Sequence, residues 1–214
     1  MLFRSHMAQH LVVMMLAAPF IVLSCPVALL VWATDGATRR SVVRALRSPI
    51  ARFLVNPVFT WLLFAGTLLL SHVQPAMEWT LRDHDAMAFV ERPLYLVAAL
   101  LFYYPLVGND MCPKRPRPAI RLASLALMMI PETVLGMIVF FSPVVLYPAY
   151  QEAAQRLGFD ALNDQKLAGA LMWALTMVID SIWMMVAAVE WWHSEERHTE
   201  RLERQERAMA QGGS

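Results

Sequence analysis

Residues 5–20 read SHMAQHLVVMMLAAPF, which places His6 and His10 one helical turn apart and Met14 one turn further on. Positions i and i+4 share a helix face, so two imidazoles and a thioether form one stripe. Met7 follows His6 directly, and His72 ends a second apolar run at the same predicted depth as His10. Imidazole and thioether together select copper, and sulfur favours the monovalent ion. The candidate metal ligands are therefore His6, His10 and His72, with Met7 or Met14 assisting. Cys25 lies three turns below Met14 on about the same face.

Plainer readings exist for the same residues. A histidine at a membrane interface keeps a polar edge in water. Methionine fills irregular packing gaps, and 15 methionines in an apolar chain are not a metal signature by themselves. Cys25 beside Pro26 reads as packing. A third chemistry is axial ligation of a b-type haem by two histidines on neighbouring helices, such as His10 and His72.

Two acids fall inside apolar runs. Glu132 follows Pro131, and Asp180 has Met177 and Met184 on its own face. Each costs on the order of 3 kcal/mol to insert into a bilayer, so such groups face a bundle interior. They could line a path for a cation or proton. They could also be a structural pair in which a protonated carboxyl bonds to the other, or to a carbonyl freed at Pro131. Asp164 reads as a helix N-cap, Gly169 as a point of close helix approach, and Glu190 as a snorkelling residue without a role.

The elements that must position these groups follow from composition. Of 214 residues, 58% are hydrophobic and 16% charged, against about 25% charged in soluble domains; mean hydropathy is +0.46. A spanning helix needs about 20 mostly apolar residues. Five runs qualify: 6–33, 53–72, 93–108 (with a start as early as 86), 119–141 and 167–192. The first is too long for the core of a signal peptide. Pro19, Pro26 and Pro131 predict kinks. The expectation is an all-α polytopic bundle over 1–193 and a charged tail over 194–214, helical at first and then disordered.

Thirteen of the 18 basic residues fall after the first and third runs and in the tail. The positive-inside rule makes that side cytoplasmic, with the N-terminus outside and the C-terminus inside. His6, His10, His72 and His84 then lie at the outer face. Cys25 and Cys112 read as free thiols. The net charge of +1 gives no reason to expect nucleic acid as a partner. No hydrolase triad, phosphate loop, CxxC or HExxH pattern occurs, so no enzyme activity is expected.

Several stretches carry a resemblance: HMAQHLVVMMLAAPFIVLSCP, FLVNPVFTWLLFAGTLLLSHVQPAMEWTLRDH, LFYYPLVG, LYPAY and DQKLAGALMWAL. Together they resemble the multi-pass CtaG-type assembly factors of cytochrome c oxidase, over roughly residues 6–193. The resemblance implies a bacterial inner-membrane protein that helps mature a haem-copper oxidase, plausibly by delivering copper to an oxidase subunit at the outer face. Two features depart from it. The family often carries one or two more N-terminal spans. It also tends to show a histidine where Arg92 stands in DHDAMAFVERPLY. Besides the b-haem carrier, the rival to an assembly factor is a copper permease, with ligands continuing inward through Met14, Cys25, Met128, Glu132 and Asp180.

Overall fold

The structure is a computed structural model; it describes the backbone of residues 2–212 and, within that range, every side chain except those at 84, 198, 201, 202 and 205–212. All regular elements among the described residues are helices. Four are long and apolar enough to cross a membrane: α1 (Phe3–Ala33), α6 (Met87–Leu106), α7 (Pro118–Phe141) and α9 (Ala161–Arg197). The fifth expected span is a bent pair, α4 (Pro57–Ser71) and α5 (Gln74–Arg82), whose axes differ by 72°. Alone, α4 would reach about 22 Å at 1.5 Å per residue, short of a hydrocarbon core of about 30 Å. Between the spans lie α2 (Gly36–Leu46), α3 (Pro49–Leu54) and α8 (Pro148–Leu157).

Local chemistry sets the boundaries. Prolines 26, 49, 57, 118 and 148 each open a helix, where the missing N–H costs nothing. Ser48 and Asn56 cap α3 and α4 by accepting from amides of the first turn. Gly158, with φ 72°, ends α8 in the left-handed region, which lacks a penalty only for glycine. The last helix continues as one element from Thr176 to Gly212.

Of the expected kinks, the one at Pro26 is a break. Cys25 adopts φ 53°, a conformation that costs a non-glycine residue about 1–2 kcal/mol. Pro26 disfavours the helical conformation at the residue before it. The restarted helix is capped from afar, because the Asp110 carboxylate accepts from the amides of Val27 at 2.7 Å and Ala28 at 2.8 Å. At Pro19 the lost N–H would have bonded the Met15 carbonyl. The indole of Trp183 donates to that carbonyl instead, at 3.0 Å. Pro131 sits inside an unbroken α7.

The core runs the length of the bundle. Phe64, Phe102, Tyr103 and Trp183 pack in its middle with Ala18, Leu106 and Met128. A second cluster of Phe3, Met77, Tyr147, Tyr150 and Met172 fills the end that carries His6. Large apolar side chains such as Phe20, Leu62, Ile138 and Ile182 point outward, as a lipid-facing surface requires. At the opposite end, Arg121 is buried, donates to the Leu106 carbonyl and pairs with Glu190 at 2.6 Å. Glu190 therefore ties α9 to the root of α7 and does not simply reach toward solvent.

The tightest approach is between α7 and α9. A Cβ on Gly169 would stand 2.6 Å from the Phe140 nitrogen and 2.9 Å from the Gly136 carbonyl oxygen. Both neighbours are backbone atoms and cannot swing aside. Gly169→Leu is expected to cost about 1–3 kcal/mol, the usual range for overpacking, read as a lower melting temperature in detergent. Trp183→Phe keeps the ring but strands the Met15 carbonyl, and an unsatisfied buried group costs about 1–3 kcal/mol. Its melting temperature should also fall, while Ile138→Leu on the outward surface should leave it nearly unchanged.

Candidate metal centre

The stripe begins where the N-terminus of α1 is fastened. Asp160, four residues before Asp164, caps α9 by accepting from the Leu162 and Asn163 amides. Asp164 is thus not the expected N-cap. It is buried, accepts from the Phe3 amide at 2.6 Å and lies 3.4 Å from the Arg4 guanidinium. Phe3 packs between Tyr147 and Tyr150, with ring centroids at 5.3 and 4.5 Å. This clamp fixes the first turn of α1, and with it His6 and His10.

The two imidazoles stack with centroids 4.1 Å apart, both facing inward. Facing them from α6 is a residue the sequence analysis did not select. Glu91 is 3% exposed, and its Oε1 lies 3.5 Å from His6 Nε2 and 3.6 Å from His10 Nε2. Neither Glu91 oxygen, nor either ring nitrogen of His6, has a hydrogen-bond partner. One donor atom from each residue falls within 4.8 Å of the others. Three ligands held at about 2.0–2.1 Å from one tetrahedral ion stand about 3.3 Å apart. N–H···O hydrogen bonds close at 2.7–3.2 Å. The spacing suits a shared cation better than direct hydrogen bonds.

Backbone irregularity helps to aim these groups. Three π-helical turns occur, at Val12–Ala17, Met87–Glu91 and Leu171–Leu175. Each adds a residue to its turn and shifts the register that follows. The first buries Met14 and Met15 together, the second ends on Glu91, and the third holds Met172. Arg92 points aside, with its guanidinium near the Gln9 amide oxygen at 3.4 Å. The position where the resemblance calls for histidine therefore does not join the cluster; the residue before it does. Glu91 stands just before the apolar run that opens at Pro93, and no spacing along the chain links it to His6 or His10. An acid on the helical approach to an apolar run was the available signal.

His72 stands apart, its ring 6.2 Å from that of His10. It forms the C-terminal boundary of α4, at the 72° bend. Its Nδ1 meets the Leu68 carbonyl at 2.7 Å, so Nδ1 carries the proton and Nε2 presents a lone pair. That Nε2 is buried without a partner. Tyr147 donates to the His72 carbonyl at 2.9 Å; burial pushes its phenol up to about 12, so it keeps its proton. Met7, Met14, His10, His72 and Glu132 line one cavity of about 30 Å³. Asp180 is in contact with Glu132 one step deeper. Two carboxyl groups bond to each other only if one keeps a proton.

The predicted ligands thus divide. His6 and His10 meet at Glu91, whereas His72, Met7 and Met14 line the cavity that His10 also lines. Cys25, at the break in α1, is not among the residues that line the cavity, and its thiol lies 3.6 Å from the Leu23 carbonyl. Met128 is core. The side chain of His84 lies outside the described residues.

A family model described as "Cytochrome c oxidase caa3 assembly factor" matches residues 1–194. The chain is 28% identical over 205 residues to an uncharacterized protein of Mycobacterium bovis, covering 92% of this chain and 31% of the relative. It is 23% identical over 211 residues to an uncharacterized protein of Mycobacterium leprae, covering 95% and 32% respectively. The chain therefore spans about a third of the length of these relatives. No solved structure matches it. With the family match running across all the membrane helices and the whole His6–His10–Glu91 site, the chain belongs to the cytochrome c oxidase caa3 assembly factor family.

Proposed function

We propose that this chain supports cytochrome c oxidase maturation by holding a copper ion on His6, His10 and Glu91 and passing it to an oxidase subunit. The observation that carries the reading is the buried Glu91 carboxylate, set 3.5 and 3.6 Å from two imidazole nitrogens with no hydrogen-bond partner of its own. Two imidazoles and one carboxylate give a copper ion three donors, and the carboxylate supplies negative charge. Zinc fits such a set too; the family and the neighbouring thioethers favour copper. His10 also lines an open groove of about 430 Å³ beside Gln9, Arg92 and Tyr95, which gives an ion a way in and out without unfolding the bundle.

The arginine asymmetry supports an outer location for this end, in a bacterial cytoplasmic membrane. Delivery of a bound ion is a binding function, and no catalytic step is needed for it. The space between His10 and His72 argues against haem: a cavity of about 30 Å³ has room for one or two small occupants, not for a macrocycle. The permease reading loses Cys25, which is not part of the cavity lining.

Metal analysis of purified protein tests the proposal. Wild type should carry copper, and the His6→Ala/His10→Ala/Glu91→Gln variant should lose the ion held there. Cells relying on the variant should accumulate copper-poor oxidase with reduced activity. Unchanged copper content in the variant, with full oxidase activity in the cells, would sink the assignment. Glu91→Gln alone keeps the shape and removes the charge, so it should weaken binding with little change in melting temperature.

A further inference from the structure

Behind His10 the chemistry turns from oxygen to sulfur. Met7, Met14, Met15 and Met172 all line the cavity of about 30 Å³, and all four residues are at most 5% exposed. Methionine alone would be packing. The cavity, however, also has polar atoms that nothing satisfies. His72 lines it, with an unpartnered Nε2 whose lone pair is fixed by the Nδ1 contact to Leu68. Glu132 lines it with one oxygen unpartnered, and His10 with an unpartnered Nδ1. Buried polar atoms nearly always have partners, so three around one small void ask for an occupant.

A water molecule would satisfy the nitrogens and the carboxyl oxygen but not account for four sulfurs. A soft monovalent cation accounts for both, since thioether and imidazole are the preferred ligands of Cu(I). We infer that the cavity is a second metal site, taking Cu(I) on His72 Nε2 and the surrounding thioethers, with His10 forming the wall it shares with the outer cluster. This rests on the copper reading above and deepens it. The outer three-ligand set is harder and reached from a groove; the inner one is softer and enclosed. No electron transfer is involved, because the ion enters as Cu(I).

The full chain in detergent, titrated anaerobically with Cu(I) from a chelator and separately with Zn(II), tests this. Wild type should take two Cu(I) ions, one with sulfur neighbours by X-ray absorption, and one Zn(II). His6→Ala/Glu91→Gln should keep the sulfur-ligated copper and lose zinc. Met14→Leu/Met15→Leu/Met172→Leu should keep zinc and lose the sulfur signal. Met→Leu swaps conserve volume and cost under about 1.5 kcal/mol each, and His72→Gln gives an independent loss if the triple variant does not fold. A single Cu(I) without sulfur neighbours in wild type overturns the second site and leaves the outer cluster standing. Sulfur-ligated copper as the single Cu(I) taken up, with no zinc bound, overturns the outer cluster alone.

Discussion

A carboxylate held away from water between two imidazoles is the constraint around which the rest of this bundle is arranged. Glu91 is nearly fully buried, with the ring nitrogens of His6 and His10 at 3.5 and 3.6 Å as its ion-pair partners. Taking a carboxylate out of water costs several kcal/mol unless partners offset it. A proton shared with a histidine would relieve it, but only if the atoms closed to about 3 Å. They stay at 3.5 and 3.6 Å. Around the three residues stand the Asp164 clamp on the first turn of α1, the Phe3–Tyr147–Tyr150 aromatic cluster, and Tyr95, whose ring is tilted 4.4 Å from that of His10. Preorganised spacing of this kind is what an ion-binding site needs and what a packed core does not.

The same accounting explains the irregular helices. In a lipid environment each backbone polar group must be satisfied within the protein. Where Pro19 leaves the Met15 carbonyl free, Trp183 donates to it. Where Pro26 restarts a helix, Asp110 caps it. The π-helical turns stand beside the metal-ligand candidates, and their extra residues turn Met14, Met15, Glu91 and Met172 inward. The Glu132–Asp180 pair lies beneath.

Much of this was legible in the residues. Hydropathy runs fixed an all-α bundle and placed four of the spans within a few residues, because twenty apolar side chains in a row have few other uses. The fifth held only as a bent pair, since a run of apolar residues does not reveal where its axis turns. The i, i+4 spacing put His6 and His10 on one face, because helix periodicity is local. The motifs likewise pointed to the family that residues 1–194 match.

Other features depended on which helices meet. Glu91 lies 81 positions from His10 in the chain, so no spacing rule pairs them. His72 likewise reaches the ring of His10, at 6.2 Å, from another helix. Asp164 looked like a cap because its neighbours are polar; only the packing of α9 against α1 shows that it holds the other helix. Glu190 similarly became the partner of Arg121. By itself the sequence determined the periodic and the apolar, namely helices, spans and the histidine stripe. Tertiary structure alone decided which polar groups meet, since a buried carboxylate takes its function from neighbours supplied by other helices.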